Sequence, residues 1–296
     1  MDSVTVLAPA KLNLTLDITG IAPNGYHTLD MLMQTVNLYE RVTLRKSPYL
    51  RLRLPGSNVP ANEHNTAIKA ALAFFDATGL LAGVDITVRK AVPVRAGMAG
   101  GSADAAAVLV GLNALYGAGM TVPELCEIGL KVGADVPFSI LGGTARVQGI
   151  GDVLTPMPSC PRCWFTVCMP KGGISTPQAY ARYDELGTDV HPDNDLAQRA
   201  LEQGDLKALC AQMSNALEFS SQSPANGPIE EILRRSGALA ALMTGSGAAV
   251  FGVFRDEKTA QSAKAELQKH YPRSWVLHPV PRGAHVLPAR PAGKKK

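Results

Sequence analysis

Residues 92–116 read VPVRAGMAGGSADAAAVLVGLNALY, an apolar run that passes through Gly97, Gly100 and Gly101 into alanine-rich helical sequence. No other stretch restricts the fold so strongly. Glycine allows a sharp turn or a close approach by another group. Ala105, Ala106 and Ala107 let the following helix pack tightly on its neighbours. A strand must therefore feed a helix through a tight loop, with unpaired N–H groups at the helix start. Two accounts of that loop stand side by side. It is a cradle for an anion at the positive end of the helix, or it is a strand-to-helix connection and nothing more. Neither G-x-x-x-x-G-K-[ST] nor G-x-G-x-x-G occurs. Ser102 either caps the helix or reaches a phosphate or metal ion. Asp104 favours the helix dipole but repels a bare phosphate, unless a magnesium ion intervenes or the side chain turns away.

The chain has 296 residues, room for one large domain or two ordinary ones. With 46% apolar and 18% charged residues it can build a real core. The net charge of +4 includes Lys294, Lys295 and Lys296, so the body is close to neutral. That argues against a nucleic-acid surface. No apolar run is long enough to cross a bilayer, and no secretory signal pattern is seen. Five scattered cysteines suit a reducing compartment, so a cytoplasmic protein is expected, as a monomer or weak homodimer. Cys160 and Cys163 form one C-x-x-C between prolines, without the further ligands that zinc requires. They read as small residues in a turn.

Along the chain, KLNLTLDI alternates as a strand, with Leu12, Leu14, Leu16 and Ile18 on one face and Lys11, Asn13, Thr15 and Asp17 on the other. PNGYHTL reads as a turn. RVTLRK and YLRLRL read as half-buried strands. NTAIKAALAFFDATG is a helix with Asn65 at its N-cap and Gly79 at its end. GVDITVRKAVPV is a strand entering the glycines, TVPELCEIGLKVG a helix opened by a Thr121–Glu124 capping box, and GTARVQG a strand. Prolines near residue 155 punctuate the chain. Strand WFTVCMP, a group of helices, strands ALAALMTG and AAVFGVF, helix DEKTAQSAKAELQKH and strand SWVLHPV follow. The expected fold is α+β in two domains, 1–155 and 156–286, with a frayed tail at 287–296.

Three further features stand out. Read alone, each has a structural account. Lys11 belongs to a solvated strand face. Asp135 in GADVPF is a helix N-cap. Gly245 and Gly247 in MTGSGAAVF form a hairpin turn.

Their order carries more. PAKLNLTL, NGYHTL, PVRAGMAGGSADAA, GADVPF and MTGSGAAVF occur in sequence across roughly residues 5 to 285. In this the chain resembles the GHMP kinase superfamily of small-molecule kinases. PAKLNL with GYHTL and GADVPF resembles the branch that phosphorylates the 2-hydroxyl of a cytidine-diphosphate-linked methylerythritol. The resemblance implies an N-terminal domain like ribosomal protein S5 and a C-terminal α/β sandwich, with the site between them. It implies ATP and Mg²⁺ as cofactors and a cytidine diphosphate ester as the second ligand, without nucleic-acid or membrane partners.

It also implies roles. Asp135 would be the base that takes the hydroxyl proton, with Lys11 beside it. Gly97, Met98, Ala99, Gly100, Gly101 and Ser102 would wrap the ATP phosphates, with Ser102 the contact for a metal ion. Asn65 would lie near the adenine. Tyr26 and His27 would meet the cytosine and Tyr180 close its other face, while Asn13 and Thr176 hold the rest of the substrate. Arg95, Ala96 and Ala99 stand where the family allows glycine, and Ala103 where a second serine is usual. The rival readings are another kinase of the superfamily, acting on homoserine, mevalonate or a sugar, and a non-catalytic RNA-binding module.

Overall fold

The alternation from Lys11 to Ile18 does not run as one strand in the computed structural model, which describes residues 2–288. Strand β1 (Ser3–Asn13) ends, and β2 (Asp17–Ile21) begins after a break. The polar row is not solvated either. Lys11, Asn13 and Thr15 are 5%, 1% and 0% exposed. Leu12 and Leu14 are buried on the opposite face, so β1 ends with both faces covered. A buried polar row must find partners within the protein, and this row faces a cleft.

The first body continues with β3 (His27–Ser47), β4 (Arg51–Arg53), α1 (Thr66–Thr78), β5 (Gly83–Arg89), α2 (Gly100–Tyr116), α3 (Val122–Val132), α4 (Val136–Leu141), β6 (Thr144–Gly149) and β7 (Val153–Pro156). β3 is its axis. β1 pairs antiparallel along one edge; on the other, β6 pairs with the first part of β3 and β5 with the last. The sequence reading saw only the RVTLRK end of this 21-residue strand, because its first half is buried on both sides and does not alternate. α2 lies close on the sheet. A Cβ at Gly111 would stand 2.4 Å from Leu44 Cδ1, so glycine lets the helix come this close without displacing that side chain. Asn65 caps α1, Gly79 ends it in the left-handed region, and Thr121 with Glu124 forms the capping box of α3.

The second body holds β8 (Trp164–Cys168), α5 (Thr176–Leu186), α6 (Asn194–Glu202), α7 (Leu206–Gln212), α8 (Leu217–Ser221), α9 (Asn226–Arg235), β9 (Ala240–Met243), β10 (Val250–Phe254), α10 (Glu257–Gln268) and β11 (Ser274–Leu277). Its antiparallel sheet runs β11-β8-β10-β9. Phe165 and Phe251 meet edge to face, 5.8 Å between centroids, a contact worth about 0.5–1.5 kcal/mol beyond its buried area. Their cluster also contains Leu12, Leu14, Val36, Ala96 and Met98, so one core joins the two bodies. Cys160 and Cys163 are buried in it as free thiols, Sγ atoms 3.9 Å apart.

The chain then returns. β12 (His285–Val286) pairs with β1, and the Leu287 N–H donates to the Thr5 carbonyl at 2.8 Å. Past Pro288 the expected tail lies outside the described residues. The architecture is α+β, as expected.

Candidate active site

A cleft of about 750 Å³ opens between the two bodies. The end of β1, the turn before β3, the loop from Lys90 to Ala99, the starts of α2, α4 and α5, and the turn after β9 all reach it. Every residue singled out from the sequence as a site residue lines it: Lys11, Asn13, Tyr26, His27, Asn65, Gly97, Met98, Ala99, Gly100, Gly101, Ser102, Asp135, Thr176 and Tyr180.

The glycine loop is fixed from both bodies. A Cβ at Gly97, where φ is 72°, would lie 2.0 Å from the Thr244 carbonyl oxygen, so the loop is pressed onto the TGSG turn. The Ala248 and Ala249 N–H groups donate to the Arg95 and Ala96 carbonyls at 3.1 and 3.2 Å. The TGSG segment does join β9 and β10 as a hairpin, and it also forms a cleft wall. The left-handed residues of the loop are Arg95, Gly97 and Ala99. Gly100 and Gly101 are already helical. Ala99 is the N-cap of α2, and no side chain caps that end. Ser102 is therefore not a cap, and its hydroxyl lines the cleft beside the open N–H groups.

Lys11 Nζ donates to Asn13 Oδ1 and stands 3.7 Å from Asp135 Oδ2. Burial pushes the Lys11 pKa below its ordinary value, and the Asp135 carboxylate pulls the other way. Asp135 occupies the N-cap position of α4 but makes no side-chain cap bond. Its carboxylate turns to Lys11 instead, with about a third of the side chain exposed to the cleft. The cap account of Asp135 and the solvated-face account of Lys11 therefore both give way. Asn13 is held by its N–H, which donates to Thr244 Oγ1 at 2.9 Å.

On the far side, the Tyr180 ring packs on the His27 ring at 4.7 Å, tilted by 33°. His27 Nε2 pairs with Asp184 Oδ1 at 2.7 Å. Tyr26 is 66% exposed at the mouth. Thr176 shares a 2.9 Å hydroxyl contact with Ser246. Asn65 does the capping work expected of it: Oδ1 accepts from the Ala67 N–H at 3.0 Å and Nδ2 donates to the Pro60 carbonyl at 2.8 Å.

One network escaped the sequence reading. Lys90 Nζ lies 2.7 Å from Glu40 and 2.6 Å from Asp104, and donates to the Gly100 carbonyl at 3.2 Å. Glu40 in turn accepts from the Ala91 and Val92 N–H groups. So the Asp104 carboxylate is taken up by Lys90. Burial pushes its carboxyl up to about 7, with Lys90 opposing and Glu40 adding to the rise. Glu40 lies far ahead of the glycine motif it supports, and its full burial is the signal; from sequence it is a lone acid just before RVTLRK. Among the described residues no cluster of three or more His, Cys, Asp or Glu side chains is placed to hold a metal ion. No helix there is long and apolar enough to cross a membrane.

Residues 65–143 match the family model for the GHMP kinase N-terminal domain and residues 197–273 that for the C-terminal domain. A β-strand-fed glycine loop at a helix start, beside a lysine–aspartate pair in the same cleft, is thus set in a chain that belongs to the GHMP kinases. Within them it is similar to 4-diphosphocytidyl-2-C-methyl-D-erythritol kinases. That of Alkaliphilus metalliredigens is 38% identical over 288 residues, covering 95% of this chain and 98% of the relative. That of Geobacillus kaustophilus is 41% identical over 263 residues, covering 87% and 90%. A crystal structure of a 4-(cytidine 5'-diphospho)-2C-methyl-D-erythritol kinase superposes with a TM-score of 0.77 at 32% identity, over 93% of this chain and 98% of the other. The homoserine kinase of Cytophaga hutchinsonii superposes at 0.78 with 21% identity, over 97% and 98%, and shares the fold.

Proposed function

We propose that the protein is a cytoplasmic ATP-dependent kinase that phosphorylates the 2-hydroxyl of 4-diphosphocytidyl-2-C-methyl-D-erythritol, a step in isoprenoid precursor biosynthesis by the non-mevalonate route. The observation that carries this reading is the Lys11–Asp135 pair at 3.7 Å, open to the cleft that the glycine loop also lines. Asp135 takes the proton of the hydroxyl as its oxygen bonds to the γ-phosphorus. The bond from that phosphorus to the bridging oxygen breaks, and ADP leaves. Lys11, beside that carboxylate, orients the hydroxyl and offsets charge on the phosphoryl oxygens. Phosphoryl transfer asks for positioning and charge neutralisation above all, so this small set suffices. The N–H groups from Gly97 to Ser102 face the ATP phosphates, and Asn65 stands toward the adenine.

Mg²⁺ is held chiefly by phosphates and water in sites of this kind and needs few protein ligands. The Ser102 hydroxyl, uncommitted to a cap, fits that demand, and the ion would offset phosphate charge.

Tyr26, His27 and Tyr180 favour a substrate with a flat base over homoserine, mevalonate or a sugar, since an aromatic face stacks on a pyrimidine. Asn13 and Thr176 are the polar contacts for the alcohol and its diphosphate. The test is incubation with ATP, Mg²⁺ and a panel of cytidine diphosphate esters, homoserine, mevalonate and sugars, read by ADP release. ADP should appear with the methylerythritol ester. Release with homoserine or mevalonate instead would overturn the substrate assignment.

A further inference from the structure

Three lysine and arginine side chains line the cleft: Lys11, Lys90 and Arg95. Two are already matched. Lys11 faces Asp135, and Lys90 is clamped between Glu40 and Asp104. Arg95 has no carboxylate within salt-bridge distance among the described residues. The two ligands of the proposed reaction bring a triphosphate and a diphosphate. The cleft's one unmatched guanidinium is the natural counter-charge for them.

Its placement is also unusual. Arg95 has φ of 55°, in the left-handed region that a side chain rarely adopts. The second body holds it there at two points. Its carbonyl accepts from the Ala248 N–H at 3.1 Å. Its stem runs over Gly173, just ahead of α5: a Cβ on Gly173 would fall 2.5 Å from Arg95 Cβ and 3.4 Å from Arg95 Cδ. Gly173 thus leaves a notch that this stem fills. A glycine at 95 would suit the backbone better, so the arginine is kept against a local cost. Strain of this kind gathers at ligand sites.

We propose that Arg95 binds a phosphate group of a ligand in the cleft, through the planar, two-pronged recognition that a guanidinium gives to phosphate oxygens. The inference rests on the kinase reading above and deepens it. The phosphate belongs either to ATP or to the diphosphate of the alcohol substrate.

Calorimetric titrations of wild type, Arg95→Gly and Arg95→Lys with ATP and, separately, with the cytidine diphosphate ester decide it, beside a thermal melt and steady-state kinetics. Arg95→Gly should melt no lower than wild type, because it relaxes the backbone. It should weaken one of the two ligands by about 10- to 100-fold, the loss of a charge-assisted contact, and raise that ligand's KM with a smaller change in kcat. The weakened ligand identifies the phosphate source. Arg95→Lys should recover part of the affinity. Two outcomes overturn the proposal: both ligands within twofold of wild type, or both weakened together with a lower melting temperature. Binding is read without turnover, so a wild-type enzyme that releases no ADP would sink the kinase reading and leave the titrations to judge Arg95.

Discussion

Lys11 at the end of β1 and Asp135 at the start of α4 meet at 3.7 Å, although 124 positions separate them (135 minus 11). The ammonium is buried and about a third of the Asp135 side chain is exposed, so the carboxylate is the member of the pair that the cleft can reach. Burial lowers the Lys11 pKa from 10.5. Its proton therefore leaves at a lower pH than an exposed lysine's, and activity should fall along an alkaline limb centred below pH 10.5. The profile of kcat/KM against pH checks this. Lys11→Arg, which stays charged, should lose that limb while keeping some activity; an unchanged limb would assign the titration to another group.

Gly97 and Gly101 should respond oppositely to alanine. At Gly97 the new Cβ collides with the Thr244 backbone at 2.0 Å in a left-handed conformation, so Gly97→Ala should lose about 2 kcal/mol or more in denaturant unfolding. At Gly101 the backbone is helical and the nearest atom is Thr66 Oγ1 at 3.4 Å, so Gly101→Ala should be neutral or gain up to about 1 kcal/mol. Equal losses would mean that the loop does not press on the TGSG turn.

Tyr180→Ala should raise KM for the cytidine substrate and leave ATP nearly untouched. Removing one aromatic face from a base costs about 1–3 kcal/mol, roughly a five- to two-hundredfold weakening. Tyr180→Phe should be mild. The ring also rests on His27 at 4.7 Å, so a structural role predicts a lower melting temperature with both ligands weakened together. Titrating each ligand separately tells the two apart.

Much of this site was legible in the sequence because it sits in short motifs whose spacing matters. The glycine loop, its helix, the Asn65 cap and the TGSG hairpin are local, and local rules find them. The role of Asp135 was not local. Beside Pro137 it reads as a cap, and only the distant Lys11 turns it into the cleft. The same holds for Glu40, Lys90 and Asp104, which come from a strand, a loop and a helix. The long β3 was missed because burial on both sides removes the alternation that marks a strand. The two-residue β12 was missed because it has no pattern of its own and forms by pairing with β1.

Away from the cleft, Glu218 gives a stability test. Burial first, and then its hydrogen bond with Glu230, raise its carboxyl to about 9 from 4.5. A carboxyl raised on folding contributes stability below its unfolded pKa and loses it as pH climbs through the folded one. Wild type should therefore lose stability relative to Glu218→Gln between about pH 5 and pH 9. Glutamine keeps the oxygen that accepts from the Met243 N–H. Thermal melts of both proteins across that range would show parallel curves if the carboxyl is ionised throughout.

The most direct test of the account is the single-turnover rate of Asp135→Asn with ATP, Mg²⁺ and the methylerythritol ester, measured beside the Kd of ATP. Asparagine keeps the shape of the side chain and cannot take the proton. The rate should fall about 10²–10⁴-fold, with ATP binding within a small factor of wild type and the fold intact. A folded Asp135→Asn enzyme that turns over near the wild-type rate would contradict the account, and the Lys11–Asp135 pair would then be a structural contact only.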